Sequence, residues 1–127
     1  MGRTILVVDD EPDLVANCER VLQRVGHVAL RAYTGPEAMA LIDRERPDLV
    51  VADLRLPGAD GLAVARHARG RVPPIPVILI TAYDSPQART AARENDVGVY
   101  LAKPFSNATF LEAVLRLLPP GLADGGG

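Results

Sequence analysis

Five polar side chains that could carry out chemistry directly follow short apolar segments of the chain. Two aspartates follow one segment, and single residues follow three others: Asp9, Asp10, Asp53, Thr81 and Lys103. Clustered carboxylates bind hard divalent cations, and a site that leaves room for water suits Mg²⁺ better than Mn²⁺ or Ca²⁺. A carboxylate nucleophile, such a cation, an ammonium and a hydroxyl donor are the groups that phosphoryl transfer needs. If these side chains converge, they predict a phosphoryl-accepting site.

The apolar segments alternate with longer stretches of helical periodicity, and this alternation predicts where the polar groups meet. Five such βα units favour an α/β fold with a doubly wound parallel sheet. The carboxyl ends of parallel strands lie at one edge of the sheet, where ligand sites of these folds form. The predicted strands are Thr4–Val8, His27–Ala32, Leu49–Asp53, Val77–Ile80 and Gly98–Ala102. The uninterrupted apolar run 77–80 indicates a central strand.

Helix-start and helix-end residues bound the five predicted helices. The first is expected over Pro12–Val25, and Thr34 with Glu37 forms a capping box for the second. Gly70 marks the end of the third helix, and Ser106 or Asn107 caps the last. The fourth, over Pro86–Asn95, is rich in alanine and arginine and is expected to pack weakly. The first and last helices each carry an apolar stripe, comprising Leu14, Val15, Cys18, Val21, Leu22 and Val25, and Phe110, Leu111, Val114, Leu115 and Leu118.

Length and charge restrict the class of protein. A chain of 127 residues predicts one domain, over residues 1–118, followed by a proline- and glycine-rich tail or linker stump over 119–127. The formal net charge of −2 offers no basic surface for nucleic acid. The apolar runs are too short to span a membrane, and no signal-peptide pattern opens the chain. These features predict a cytoplasmic protein without membrane or nucleic-acid partners.

The cysteine and the two histidines give no independent sign of chemistry. One cysteine, Cys18, excludes an internal disulfide and is expected to be a buried core thiol. His27 and His67 stand apart from each other and from acidic clusters, which favours structural or surface roles. The paired aspartates could instead cap the first helix, but capping does not explain Asp53 at a neighbouring strand end.

Four motifs in order resemble the response-regulator receiver domains of two-component signalling, the CheY-like superfamily. They are Val7-Val8-Asp9-Asp10-Glu11, Ala52-Asp53-Leu54-Arg55-Leu56-Pro57-Gly58-Ala59-Asp60-Gly61, Ile80-Thr81-Ala82 and Tyr100-Leu101-Ala102-Lys103-Pro104-Phe105. The resemblance extends from Ile5 to Leu118. It implies a flavodoxin-like (βα)5 fold with five parallel strands in the order 2-1-3-4-5.

The resemblance also implies a role for each polar residue at the sheet edge. Asp53 is the expected phosphoacceptor, taking a phosphoryl group from a sensor histidine kinase or a phosphotransfer protein. Mg²⁺, with Mn²⁺ possible in its place, is expected on Asp9, Asp10, Asp53 and the main-chain carbonyl of Arg55. Thr81 and Lys103 are expected to bind phosphoryl oxygens. Such a protein is a phosphoacceptor regulator and not a turnover enzyme.

A conformational switch is the next implication of the resemblance. Thr81 is expected to move toward the phosphoryl group while Tyr100 turns inward, which changes the face formed by the fourth helix, fifth strand and fifth helix. That face is expected to contact an output domain, a target protein or a second copy of the chain. The bond between Lys103 and Pro104 is expected to be cis.

Two departures from the family pattern concern tuning rather than chemistry. Arg55, two residues beyond the acceptor, could lie across the site and alter access of water, in a direction the sequence does not set. Asp96-Val97 stands where members usually carry Gly-Ala, so Asn95 or Asp96 is expected to adopt the left-handed conformation. The second departure lies on the signalling face and leaves the mode of dimerisation open.

Three other functions fit the sequence less well than a phosphoryl-accepting switch. A receiver-fold interaction module independent of phosphorylation need not retain Asp10, Asp53, Thr81 and Lys103 together. A haloacid-dehalogenase-like phosphatase would want a second aspartate at position 55, where the chain has Arg55. A flavin or dinucleotide carrier would show a glycine-rich turn after the first strand, where the chain has acids.

Overall fold

A five-stranded parallel sheet forms the centre of the protein. The computed structural model describes residues 2–118, so the predicted tail over 119–127 lies outside the described residues. The strands are β1 (Thr4–Val8), β2 (Val28–Ala32), β3 (Leu49–Asp53), β4 (Val77–Thr81) and β5 (Val99–Ala102). Their order is β2-β1-β3-β4-β5, with every neighbouring pair parallel. The predicted fold and strand order are therefore confirmed.

Each strand is followed by a helix, and most of these helices have a side-chain cap at the first turn. They are α1 (Pro12–Arg24), α2 (Gly35–Glu45), α3 (Gly61–Arg69), α4 (Pro86–Glu94) and α5 (Asn107–Leu117). The caps of α2 to α5 each accept a hydrogen bond from the amide three residues on: Thr34, Asp60, Ser85 and Ser106. Ser106, rather than Asn107, is thus the cap of α5.

Side chains alternate between the two faces of the sheet and build two apolar clusters. Ile5 and Val7 pack with α1 and α5 on one face, whereas Leu6 and Val8 pack with α2 and α3 on the other. Every residue of β3 and β4 is buried, as expected of central strands. Helix α4 contributes one buried residue, Ala92, which agrees with the weak packing predicted for it.

Two residues of the predicted apolar stripes are exposed instead. Val25 is 51% exposed because α1 ends at Arg24 and the chain leaves helical geometry at residue 25. Leu115 is 74% exposed, since α5 buries Phe110, Ala113 and Val114 and position 115 lies a further 100° or so around the helix axis. The assignments of Val25 and Leu115 to the buried stripes were therefore wrong. Ala113, absent from the predicted stripe, occupies a core position.

Strand boundaries differ from the predicted ones by one residue. The backbone amide of His27 donates to the carbonyl of Leu22, 3.0 Å away, so it belongs to the turn after α1 and not to β2. Strand β5 begins at Val99 rather than Gly98, and β4 extends to Thr81. None of these shifts changes the face to which a site residue belongs.

The single cysteine lies in the core, and the two histidines make hydrogen-bond contacts away from the carboxyl edge of the sheet. Cys18 is buried in the core cluster beside α5, and burial raises its thiol pKa to about 12, as expected of an inert thiol. His27 accepts a hydrogen bond at Nδ1 from the amide of Arg3, and His67 lies 2.8 Å from Asp43 across α2 and α3. Within residues 2–118, no helix is long and apolar enough to cross a membrane.

Candidate functional site

The carboxyl edge of the sheet brings together side chains that are far apart in sequence. Asp9 follows β1, Asp53 ends β3, Thr81 ends β4 and Lys103 follows β5. The Lys103 ammonium lies 2.8 Å from Asp9 Oδ2 and 3.4 Å from Asp53 Oδ2. The ammonium therefore bridges the ends of the first and third strands, at the edge where these groups were predicted to meet.

Backbone hydrogen bonds beyond the strand ends hold these residues in place. The amide of Asp9 donates to Ala32 O at 3.1 Å, and the amide of Lys103 donates to Thr81 O at 2.7 Å. Helix α3 starts directly against the third strand, because a Cβ atom on Gly61 would lie 2.2 Å from the carbonyl oxygen of Asp53. Only glycine allows this close approach of α3 to the end of β3.

Three carboxylates form a group that could hold a metal ion. Asp9, Asp10 and Asp53 each offer an oxygen, and these oxygens lie within 4.8 Å of one another. Asp9 and Asp53 are buried, whereas Asp10 is exposed to solvent. Oxygen donors of this kind suit a hard divalent cation, and one open side leaves room for water ligands.

The surroundings of the two buried carboxylates raise their pKa values and so favour their neutral forms. Burial raises the pKa of Asp9, and hydrogen bonding and charge from Lys103 offset only part of that effect. Burial also raises the pKa of Asp53, and the negative charge of Asp9 raises it further. One ammonium therefore compensates this group incompletely, and a cation in the group would stabilise the ionised carboxylates.

Lys103 stays charged despite being nearly buried. Burial lowers its pKa, but hydrogen bonds to Asp9 and Glu11 and the charges of Asp9 and Asp53 raise it more, so the net shift is upward. Its side chain is 10% exposed and its third contact, to Glu11 Oε2, is 3.0 Å long. The sequence analysis did not anticipate this contact. The sequence signal for the contact between Glu11 and Lys103 is the position of Glu11 directly after Asp9 and Asp10, at the same predicted edge as Lys103.

Thr81 is fully buried and presents a hydroxyl group at the end of β4. Its Oγ1 accepts a hydrogen bond from the amide of Tyr83 at 2.9 Å. A hydroxyl oxygen that accepts one bond retains its own proton for donation. Thr81 can therefore donate toward an anion at this edge.

Tyr100 is linked at the surface to the first turn of α4 by two residues that sequence analysis missed. Its hydroxyl donates to Asp84 Oδ1 at 3.0 Å, and Arg89 binds both oxygens of Asp84 at 2.9 and 2.8 Å. The Arg89 guanidinium also lies 4.7 Å from the centre of the Tyr100 ring. An acid just before a helix cap and an arginine in the first turns are the sequence signal for this contact.

Arg55 contacts both Asp53 and a neighbouring aromatic ring. Its amide donates to Asp53 Oδ1 at 3.4 Å, while its guanidinium lies 4.0 Å from the centre of the Tyr83 ring. Tyr83 lies two residues beyond Thr81, so this contact joins the loops that follow β3 and β4. Tyr83 was not among the predicted site residues, and the cation two residues after Asp53 is the sequence signal for this contact.

Two backbone features agree with the predictions. Asp96 has φ of 56°, in the left-handed region, whereas Asn95 has φ of −105°. Asp96 is thus the residue that supplies the conformation glycine usually provides. The peptide bond between Lys103 and Pro104 is cis.

Comparison with known proteins identifies the class to which this fold and edge belong. The family model of the response regulator receiver domain matches residues 5–115. A CheY-like receiver domain protein from Methanospirillum hungatei is 25% identical, with TM-score 0.86 over 91% of this chain and 93% of that one. The chemotaxis protein CheY4 of Vibrio cholerae is also 25% identical, with TM-score 0.86 over 93% and 100%. A LuxR-family DNA-binding response regulator from Staphylococcus aureus is 26% identical, with TM-score 0.83 over 91% and 98%.

The chain belongs to the response regulator receiver domain family, and its fold is the flavodoxin-like fold of CheY. Receiver domains are signalling switches of two-component systems, and switching by phosphorylation is general to the family. They act together with histidine kinases and output domains and are not classical enzymes. The acidic group at the sheet edge is consistent with a metal site of this family.

Proposed function

We propose that this chain is a phosphorylation-activated switch whose acceptor is Asp53 and whose donor is a phosphohistidine of a sensor kinase or phosphotransfer protein. The observation that carries the proposal is the Lys103 ammonium, held 2.8 Å from Asp9 and 3.4 Å from Asp53 at the carboxyl edge of a receiver fold. This arrangement places a carboxylate nucleophile next to a fixed positive charge. Catalysis of phosphoryl transfer consists mainly of such positioning and charge stabilisation.

The proposed chemical step transfers one phosphoryl group between two side chains. A carboxylate oxygen of Asp53 forms a bond to phosphorus as the bond between phosphorus and the imidazole nitrogen of the donor breaks. The imidazole leaves with the bonding electron pair, and the product is an acyl phosphate on Asp53. Lys103 and the Thr81 hydroxyl donate hydrogen bonds to the transferred phosphoryl oxygens.

Residues at the acidic edge would hold Mg²⁺, or Mn²⁺ in its place. The proposed ligands are Asp9, Asp10, Asp53 and the main-chain carbonyl of Arg55. The donor set supports this assignment, because three carboxylates lie within 4.8 Å of one another and two are buried with raised pKa values. The bound ion supplies neutralising charge for the phosphoryl oxygens.

The proposed output is a change on the face formed by α4, β5 and α5. Thr81 turns toward the new phosphoryl group, and Tyr100 leaves its surface contact with Asp84 to turn inward. Asp84 and Arg89 would then both lose their contacts with Tyr100, which changes the surface at the first turns of α4. An output domain, a target protein or a second copy of the chain would bind this face, in the cytoplasm and without direct contact with nucleic acid or membrane.

The proposal is tested by intact mass after incubation with acetyl phosphate, with and without Mg²⁺. Wild type is expected to gain one acid-stable, base-labile phosphoryl adduct that requires Mg²⁺, and Asp53→Asn is expected to gain none. Asp13→Asn, an exposed acid in the first turn of α1, is the matched control and should behave as wild type. An adduct that survives in Asp53→Asn would assign the acceptor elsewhere. Failure of wild type with both acetyl phosphate and a kinase donor would favour a phosphorylation-independent interaction module.

A further inference from the structure

All three hydrogen-bond donors of the Lys103 ammonium have carboxylate partners in this structure. Its nitrogen lies 2.8 Å from Asp9, 3.0 Å from Glu11 and 3.4 Å from Asp53. A lysine ammonium has three donors and no more. A phosphoryl oxygen can therefore bind Lys103 only if one of these carboxylates gives up its position.

The three partners differ in their freedom to leave. Asp9 is fully buried, and its other oxygen accepts the amide of Glu11 at 2.9 Å, so it is held from two sides. Asp53 is the proposed acceptor and moves with the phosphoryl group that it receives. The Glu11 side chain is 60% exposed and can turn into solvent without losing buried contacts. Glu11 is the partner that can leave.

The Glu11 side chain has no role in starting α1. Glu11 occupies the cap position of that helix, yet its side chain makes no capping hydrogen bond. Its backbone carbonyl accepts from the amides of Leu14 and Val15, at 3.1 and 3.2 Å, and Pro12 opens the helix. The carboxylate accepts a hydrogen bond from Lys103 instead, so its removal should leave the start of α1 intact.

We infer that Glu11 is a placeholder for the phosphoryl group, occupying a donor of Lys103 until the phosphoryl oxygen replaces it. This inference rests on the proposed function and adds a regulation of the same site. Glu11 shields the lysine in the resting state and opposes the approach of an anionic phosphoryl donor. Asp9 alone keeps the lysine oriented when Glu11 leaves, because it is the nearer and the buried partner.

The first test compares rates of phosphorylation by acetyl phosphate at saturating Mg²⁺. Glu11→Gln keeps the shape of the side chain and removes its charge. It is expected to accelerate adduct formation about two- to five-fold, the scale of one exposed ion pair. Asp13→Asn removes a charge from the same end of α1 and should leave the rate unchanged, because the carboxylates that bind Lys103 are those of Asp9, Glu11 and Asp53.

A second readout needs no phosphoryl donor. Lys103 is the only lysine of the chain, so a ¹H–¹⁵N spectrum tuned to lysine ammonium groups contains one expected signal. Glu11→Gln should shift this signal and speed its exchange with water, whereas Asp13→Asn should leave both unchanged. An unmoved signal in Glu11→Gln would show that Glu11 does not hold Lys103 in solution and would overturn the inference.

The rate experiment separates failure of the inference from failure of the proposed function. If wild type forms the adduct and Glu11→Gln forms it more slowly, Glu11 positions the lysine for reaction and the placeholder role is wrong. Equal acceleration in Asp13→Asn would reduce the effect to general charge and overturn the inference as well. If wild type forms no adduct with any donor, the proposed function fails, and the placeholder role fails with it.

Discussion

Two contacts between a carboxylate and a cation lie at the same end of the molecule and behave in opposite ways. Lys103 binds Asp9 at 2.8 Å, and Arg89 binds Asp84 at 2.8 Å. The side chains of the first pair are 10% and 0% exposed, whereas those of the second are 51% and 39% exposed. Burial raises the pKa of Asp9, but the hydrogen bond from Arg89 lowers the pKa of Asp84. Surroundings, and not distance, decide the electrostatic character of each pair.

The difference assigns distinct tasks to the two pairs. Buried charges that are incompletely compensated bind further charge strongly, because little water competes. An exposed pair contributes little free energy and is easily broken. The buried group therefore suits the proposed phosphoryl transfer, and the exposed group suits a contact that opens in the proposed movement of Tyr100.

The largest expected difference comes from removing the cation of each pair. In Mg²⁺-free buffer, Lys103→Ala should remain folded but lose on the order of 3 kcal/mol of unfolding free energy, since it leaves buried carboxylates without their partner. Arg89→Ala should lose much less, because its partner is solvated. Urea denaturation of both variants measures the difference, and Mg²⁺ should restore part of the loss in Lys103→Ala. Equal losses would show that burial does not separate the two pairs.

Removing the charge of Asp53, the proposed acceptor, should change the free energy of unfolding in the opposite direction. In Mg²⁺-free buffer at pH 7, Asp53→Asn should be more stable than wild type by about 1 kcal/mol, a typical single-site effect. The folded pKa of Asp53 is raised, so the stability linked to it is complete below the unfolded pKa and is lost as pH rises through the folded pKa. The advantage of Asp53→Asn should therefore grow between pH 4 and pH 7 in denaturation experiments. An advantage that shrinks over this range would contradict the raised pKa.

The fold and the centre of the site were predictable because strand ends carry them. The alternation of short apolar runs with longer helical periods indicated five βα units, and the parallel strands bring Asp9, Asp53, Thr81 and Lys103 to one edge. The errors at Val25 and Leu115 arose where a helix ends or where one helix face meets too few neighbours. Periodicity identifies apolar positions, but tertiary contacts decide which of them are covered.

The contacts between exposed side chains could not be predicted from strand order. The contacts of Tyr100 with Asp84 and of Arg55 with Tyr83 depend on the course of the loops after β4 and β3. Long side chains on loops have several rotamers of similar energy, and the sequence does not select among them. The same reason hid the contact between Glu11 and Lys103.

A third cation, Arg55, contacts the aromatic ring of Tyr83 rather than a carboxylate, unlike Lys103 and Arg89. This pair joins the loops that follow β3 and β4, and the amide of Arg55 donates to Asp53, the proposed acceptor. We expect the Arg55 guanidinium, held over the Tyr83 ring, to limit access of water to Asp53, so Arg55→Ala should shorten the lifetime of the phosphoryl adduct about two- to five-fold, the scale of an exposed cation–π contact. Decay of the adduct after removal of acetyl phosphate measures this effect. Arg93→Ala, on an exposed face of α4, is the control, and a lifetime in Arg55→Ala that is unchanged or longer would contradict the covering role.

The smallest expected effect lies at the exposed pair and is best measured on Tyr100 itself. Burial raises the pKa of the Tyr100 hydroxyl, and its hydrogen bond to Asp84 raises it further. Asp84→Asn should therefore lower that pKa, which ultraviolet titration can follow with Tyr100→Phe as the reference that assigns the signal. The folded pKa of Asp84 is lowered, so any stability linked to it is present above the unfolded pKa and is lost as pH falls through the folded pKa. Wild type and Asp84→Asn should thus converge in stability at acid pH. This is opposite to the behaviour expected of Asp53, a buried carboxylate whose pKa is raised. An unchanged Tyr100 titration in Asp84→Asn would show that Asp84 does not hold the tyrosine at the surface.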